Sequence, residues 1–281
     1  MITQLRCGER TLLLERPLVM GVVNLTPDSF SDGGRYLEPA QALERALALE
    51  AEGAAIIDLG GESTRPGAEP VTVQEELRRV LPVLERLRPR TAAVLSIDTS
   101  KPDVMRACAA AGADLINDVY ALRAPGALEA AAESGCAICV MHMQGEPRTM
   151  QHAPHYDDVV GEVRAFLQAR VRACLAAGIA EERIVLDPGF GFGKTLAHNL
   201  TLLRRLEALR IEGLPILAGL SRKSMIGALT GQRAEERVHG SVAAALIAAQ
   251  NGAQILRVHD VAATLDALKV LAAVSGEDAP G

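Results

Sequence analysis

The residues best equipped for chemistry in this chain fall into two sets. Asp98, Asn117, Asp187 and Lys223 supply two carboxylates, an amide and an ammonium. They suit the edge of a flat nitrogen heterocycle, because a carboxylate accepts two N–H bonds from a guanidine-like edge. Asn24, Ser63, Thr64, Arg65, Arg257 and His259 form the second set. Their donors suit a bound anion, and the amide oxygen of Asn24 suits a hard cation such as Mg2+. Taken singly, Asp98 or Asp187 reads equally well as a helix cap, and Arg257 with His259 as a structural ion pair.

What decides between these readings is where the backbone must put them. Short apolar runs recur near 18–24, 55–59, 93–98, 114–119, 137–143, 184–187, 215–220 and 255–259. Each is followed by a polar or Gly/Pro-rich loop and then a segment of helical periodicity. Leu77, Val80, Leu81, Leu84 and Leu87 keep one helical face, as do Val159, Val163, Phe166, Leu167 and Val171. Pro82 is expected to kink the first of these. About eight strand-then-helix units predict an α/β fold, a single (β/α)8 TIM barrel, with a doubly wound sheet as the alternative. Almost every run ends on a polar residue: Asn24, Asp58, Asp98, Asn117, His142, Asp187, Ser221, and Arg257 with His259. In a barrel these ends converge on one face, where active sites sit. Ile2–Cys7 and Arg10–Leu14, joined across Gly8, read as a hairpin that plugs the opposite end. The expected organisation is one domain, with the hairpin over 1–16, the barrel over 17–275 and a tail over 276–281.

Composition excludes several classes. The 281 residues are 49% hydrophobic and 23% charged, which rules out fibrous and disordered chains. A net charge of −6 gives no reason to expect a nucleic-acid partner. No run approaches the ~18 apolar residues of a membrane span, so a cytoplasmic protein is expected, without a membrane partner. Five cysteines fit reduced thiols; Cys136 and Cys139 lie at strand spacing that points them to opposite faces, which argues against a redox or metal pair. Gly193-Lys194-Thr195 resembles the end of a phosphate-binding loop, but Pro188 stands where its first glycine is needed. His152 and His155 read as a solvated loop, and His198 as a helix-start residue. Aromatic residues are scarce, and Phe30, Phe190 and Phe192 fall in expected mouth loops while Phe166 falls in a helix core.

Three loops are too particular to be generic connections: Val22–Gly34, Asp58–Gly67 and Asp187–Lys194. With Ser96-Ile97-Asp98-Thr99, Ile116-Asn117-Asp118-Val119, Met141–Gly145, Ser221–Ser224 and Arg257-Val258-His259-Asp260, they resemble dihydropteroate synthase, the folate-pathway family inhibited by sulfonamides. The likeness runs from Met20 to Asp260; Ser100 and Tyr120, which flank two motifs, sit at positions it leaves variable.

The resemblance implies that Asp98, Asn117, Asp187 and Lys223 hold a pterin ring, with Met141 and Phe192 against it. It implies that Asn24 ligates Mg2+, that Asn24, Thr64, Arg257 and His259 hold a diphosphate with Arg65 nearby, and that Thr64, Pro66, Phe192, Arg222 and Ser224 line a 4-aminobenzoate site. The family joins (7,8-dihydropterin-6-yl)methyl diphosphate to 4-aminobenzoate, giving 7,8-dihydropteroate and diphosphate. Asp98, Asp187, Lys223, Arg257 and His259 would carry that alkyl transfer. No Ser/His/Asp or Cys/His pairing demands a covalent intermediate, so an SN1-like displacement is expected. A homodimer through the Ala-rich last helices is also implied. The alternatives are a methyltetrahydrofolate-type pterin methyltransferase, which has no diphosphate to hold, and a non-catalytic pterin-binding paralogue.

Overall fold

The computed structural model describes residues 3–26, 39–63, 68–146 and 149–276. Two strands, β1 (Gln4–Cys7) and β2 (Arg10–Leu13), pair antiparallel around Gly8, whose φ of +60° lies in the left-handed region open to glycine. The next strands, β3 (Leu18–Asn24), β4 (Ile56–Gly60), β5 (Val94–Asp98), β6 (Leu115–Asp118), β7 (Ala137–Met141), β8 (Ile184–Asp187), β9 (Leu217–Ala218) and β10 (Ile255–Val258), form one parallel sheet in the order β8-β7-β6-β5-β4-β3-β10-β9. A parallel bridge from Leu186 to Ile216 joins its two edges, closing the eight-stranded barrel. The expected strand at 215–220 shortens to two residues because Pro215 has no N–H to donate; its carbonyl accepts from Leu186 N at 2.9 Å instead.

Helices follow the strands: α1 (Pro39–Ala51), α2 (Val73–Leu87), α3 (Pro102–Ala110), α4 (Ala127–Ser134), α5 (Val159–Ala176), α6 (Leu196–Arg204), α7 (Ser224–Thr230), α8 (Val238–Gln250) and α9 (Val261–Val274). α2 runs unbroken through Pro82 and buries Val80, Leu84 and Leu87, as its periodicity requires. His198 is indeed a helix-start residue: Thr195 caps α6 by accepting from His198 N at 3.2 Å, and His198 Nδ1 accepts from Thr195 N at 3.3 Å.

Period-two alternation sorts the strand residues into two layers. Outward residues such as Ile57, Leu59, Leu95, Ile97, Ile138 and Leu186 pack against the helices in the main core. Inward residues at the lower end, Met20, Ile56, Val94, Leu115, Cys139, Val185, Leu217 and Ile255, form a second core with Leu5, Cys7 and Leu14. Every barrel strand contributes to it, so the hairpin is a plug. Cys136 and Cys139 fall in different layers, and all five cysteines are free and buried. Asp114 rivets the plug, accepting from Arg10 at 2.9 Å, Arg88 at 2.7 Å and Leu95 N at 2.9 Å. No helix among the described residues is long and apolar enough to cross a membrane.

Candidate active site

Climbing the inward side of each strand from the plug, the apolar residues give way to polar ones. Asp58 lies on β4, Ser96 and Asp98 on β5, Asn117 on β6, Asp187 on β8 and Arg257 on β10. Two inward positions carry no side chain. A Cβ added at Gly60 would sit 3.8 Å from Asn24 Oδ1 and Asp98 Cβ, and one at Gly219 would sit 3.9 Å from Arg257 Cβ and Lys223 Nζ. The glycines therefore keep a cup open between these groups.

The cup is charged and nearly dry. Asp58 is fully buried, Asn117 is 4% exposed and Asp187 is 6% exposed. Arg257 reaches from β10 past β3 to β4 and β5, donating from Nε to Asp58 Oδ2 at 2.7 Å and from Nη2 to Asp98 Oδ2 at 2.9 Å. Ser96 donates to the other Asp58 oxygen at 2.6 Å. Burial alone would lower the Arg257 pKa, but the carboxylates of Asp58 and Asp98 outweigh it and hold the guanidinium charged. Burial pushes Asp98 up to about 7 against the pull of Arg257, with Asp58 adding to the rise. Asp187 is also raised by burial, opposed by Lys223. Lys223 is lowered by burial to about 8, with Asp187 opposing.

Several valences in this cup are unused. Asp187 Oδ1 accepts from Gly189 N at 2.7 Å, which leaves Oδ2 without a hydrogen bond to the described residues. The same holds for Asp98 Oδ1 and for the side-chain amide of Asn117, although each residue is at least nine-tenths buried. None of these atoms is sealed from the opening of the cup, so several polar atoms of nearly buried side chains face one small space, and the set points to a ligand with several N–H donors and acceptors along one edge. Beside it, Val119, Met141, Met143 and Met150 form a small apolar cluster with Phe192 and Tyr120 against it. The Lys223 ammonium lies 4.6 Å from the centre of the Phe192 ring, and donates to Phe190 O. A cavity of about 310 Å³ opens from Asp98 past Thr99, Ser100, Val119 and Tyr120 toward Ser63.

The loop after β8 is rigid by construction. Lys194, 3% exposed, sends its Nζ to Gly189 O at 2.9 Å, Phe192 O at 3.0 Å and His142 Nδ1 at 2.9 Å. While Lys194 is an ammonium it has only donors, so His142 Nδ1 then accepts and the ring proton sits on Nε2. Burial, then the charge of Lys194, drives the His142 pKa down to about 2, and burial lowers Lys194 to about 7. Gly189 is obligatory: its φ is +68° and a Cβ would lie 1.9 Å from His142 O.

Asn24 ends β3 beside Gly60, and its side chain makes no hydrogen bond among the described residues. His259 follows β10, with Nδ1 3.0 Å from Ser221 Oγ. Arg222 adopts φ +58°, and its guanidinium is held by Asp260 at 2.6 and 3.1 Å. Ser224 is the exposed first residue of α7. Thr64, Arg65, Pro66 and Phe30 lie outside the described residues. One expectation is corrected: Phe190 is not a mouth residue but fully buried between barrel and helices, because the turn at Gly189 directs it outward into the core. Phe166, assigned to the helix core, is half-buried and stacks edge-on to His142 at 4.9 Å. His155 is a solvated loop residue paired with Asp157 at 3.3 Å. Sequence reasoning gives no site role to Asp58, Ser96, Lys194 or Lys101, although it marks Asp58 as a polar strand end and Lys194 as the end of a glycine-rich loop.

Comparison with known proteins agrees with this geometry. Residues 20–259 match the family described as pterin binding enzyme. The dihydropteroate synthase of Escherichia coli is 54% identical over 263 residues, covering 94% of this chain and 93% of that protein. The Yersinia pestis dihydropteroate synthase, solved with a sulfonamide drug, superposes with a TM-score of 0.94 at 53% identity, over 97% of this chain and 99% of that one. The Xanthomonas albilineans enzyme with 4-aminobenzoic acid superposes with a TM-score of 0.92 at 58% identity, over 97% and 98%. The chain belongs to the dihydropteroate synthase family of pterin-binding enzymes.

Proposed function

We propose that this chain condenses (7,8-dihydropterin-6-yl)methyl diphosphate with 4-aminobenzoate, releasing diphosphate and 7,8-dihydropteroate. The observation that carries the reading is the set of unpaired but accessible polar atoms on Asp98, Asn117 and Asp187 around the space left by Gly60 and Gly219. A pterin presents an amino-pyrimidinone edge of matching donors and acceptors. Lys223 lies against the far side of this cup, with Met141 and Phe192 supplying apolar surface to a flat ring.

In the proposed displacement the methylene C–O bond breaks, the diphosphate takes the electron pair, and the arylamine nitrogen attacks the methylene and then loses its proton. Positive charge spread over the pterin in the transition state is favoured by the Asp98 and Asp187 carboxylates. Arg257 and His259, with Asn24, Thr64 and Arg65, receive the departing polyanion. Thr64, Pro66, Phe192, Arg222 and Ser224 would line the aminobenzoate site.

Mg2+ fits as a companion of the diphosphate. Asn24 offers one amide oxygen, and the described residues hold no cluster of three His, Cys, Asp or Glu side chains for a metal. One protein oxygen completed by phosphate oxygens and waters is a usual arrangement for this ion. When bound, it withdraws charge from the leaving group. We further assign a homodimer and a cytoplasmic location. The exposed apolar side chains Leu229, Ile247, Val270 and Val274 on α7, α8 and α9 support the first, and five free, buried cysteines support a reducing compartment.

The test supplies both substrates with Mg2+ and measures released diphosphate. Release that a sulfonamide suppresses competitively with 4-aminobenzoate is expected. Folded protein that releases none refutes the reading.

A further inference from the structure

Outside the cup, the start of α8 holds the loop after β9 from behind. Arg237, the residue before α8, is half-buried and donates to three backbone carbonyls. Its Nη1 reaches Arg222 O at 3.0 Å and Lys223 O at 3.3 Å, and its Nε reaches Gln232 O at 2.9 Å. The Arg237 carbonyl accepts from Ser241 Oγ at 2.6 Å, and that oxygen accepts in turn from Arg222 N at 2.9 Å. Both backbone polar groups of Arg222 are therefore tied to α8. Lys223 O has other donors, Ile226 N at 3.0 Å and Gly227 N at 3.4 Å, whereas Arg222 O has no donor besides Arg237 among the described residues. A second element is shaped to the same guanidinium. Gly227 lies inside α7, and a Cβ there would sit 2.6 Å from Arg237 Nε and closer still to Nη2.

Two unfavourable features meet at this clamp. Arg222 holds φ at +58°, a left-handed conformation that a residue with a Cβ keeps only when its surroundings over-determine it. Glycine inside a helix is unfavourable too, and here it is what admits the guanidinium. We infer that Arg237 is a positioning residue for the loop after β9: it pins the strained backbone of Arg222 and the start of α7, which sets Arg222 and Ser224 for the aminobenzoate while Lys223 reaches the cup. The inference rests on the proposed function for the ligands concerned. The two ligands should not suffer equally when the clamp is lost. Lys223 has a flexible four-carbon stem and a separate anchor on Phe190 O, so it absorbs a shift of its own backbone. Ser224 has a one-carbon stem and no such reserve.

The test compares wild type with Arg237→Ala, Arg237→Lys, Gly227→Ala and the double variant Arg237→Ala/Gly227→Ala. Steady-state turnover gives the KM for 4-aminobenzoate, titration calorimetry the affinity for 6-hydroxymethylpterin, and hydrogen exchange the protection of amides 219–227. Arg237→Ala should raise the aminobenzoate KM about tenfold, keep pterin affinity within about threefold and lower protection in this loop alone. Arg237→Lys keeps the charge and a donor, and should recover part of the KM. Gly227→Ala displaces the guanidinium without removing it, so it should raise the KM in wild type and change nothing further once Arg237 is alanine. Equal losses for both ligands would mean a merely structural role. That result, additive effects of the two substitutions, or an unchanged KM each overturns the inference. If wild-type protein bound the pterin but gave no turnover, the proposed function would fall. The inference would then be read from hydrogen exchange, where unchanged protection of 219–227 in Arg237→Ala overturns it.

Discussion

Replacing Lys194 by methionine keeps the length of the side chain and removes its donors. Among the described residues three acceptors, Phe192 O, His142 Nδ1 and His142 O, then have no donor, whereas Gly189 O still receives Phe192 N at 3.0 Å. Three buried acceptors left unmet cost ~3–9 kcal/mol together. The sharper consequence concerns pH. Burial lowers the Lys194 pKa from 10.5 to about 7, so between these values the unfolded chain binds a proton that the folded one does not. Wild-type stability therefore rises with pH through this window, by at most ~1.4 kcal/mol per pH unit from this group. The methionine variant lacks that rise. The stability gap between the two proteins should widen by up to ~3 kcal/mol between about pH 7 and 9.5, other groups cancelling in the comparison. Urea unfolding at several pH values measures it. A gap that stays constant or narrows would show that the fold favours the ammonium over the amine, and would refute the reasoning.

Other outcomes follow from the same geometry. The ratio kcat/KM for the pterin diphosphate should climb as Asp98 ionises near pH 7 and fall as Lys223 deprotonates near pH 8, a bell read from initial rates. Gly219→Leu should fill the cup beside Arg257 and Lys223, lowering pterin affinity by about 100-fold or more in calorimetry, with Tm little changed. Asp114→Ala breaks one buried hydrogen bond and two partly buried ion pairs at the plugged end. It should cost ~3–5 kcal/mol in urea unfolding yet leave kcat unchanged at a temperature where the protein is folded.

The barrel was legible because its rules are local. Runs at 18–24 and 184–187 coincide with β3 and β8, since a strand buried on both faces must be apolar until it reaches the mouth. The strand-end rule also found Asp98, Asn117 and Asp187. It marked Asp58 too but gave it no role in the site, because that residue sits two positions below Gly60 and acts on Arg257, 199 positions along the chain. Lys194 and Lys101 escaped for a similar reason. A lysine in a loop reads as solvated until the fold shows carbonyls and carboxylates closing around it. Phe190 was misplaced because loop residues are expected outside the core, and only the backbone turn at Gly189 directs it away from the mouth into the layer between barrel and helices.

The hairpin gives the barrel one entrance. Leu5, Cys7 and Leu14 seal the lower end with a residue from every strand, so whatever occupies the floor of the cup must pass through the space above it. Under the proposed function the ring sits at that floor and the aminobenzoate nearer the mouth. The vessel then works as a stack, in which the first molecule in is the last out. Order of addition becomes a property of the plug at the far end rather than of any residue that touches a substrate.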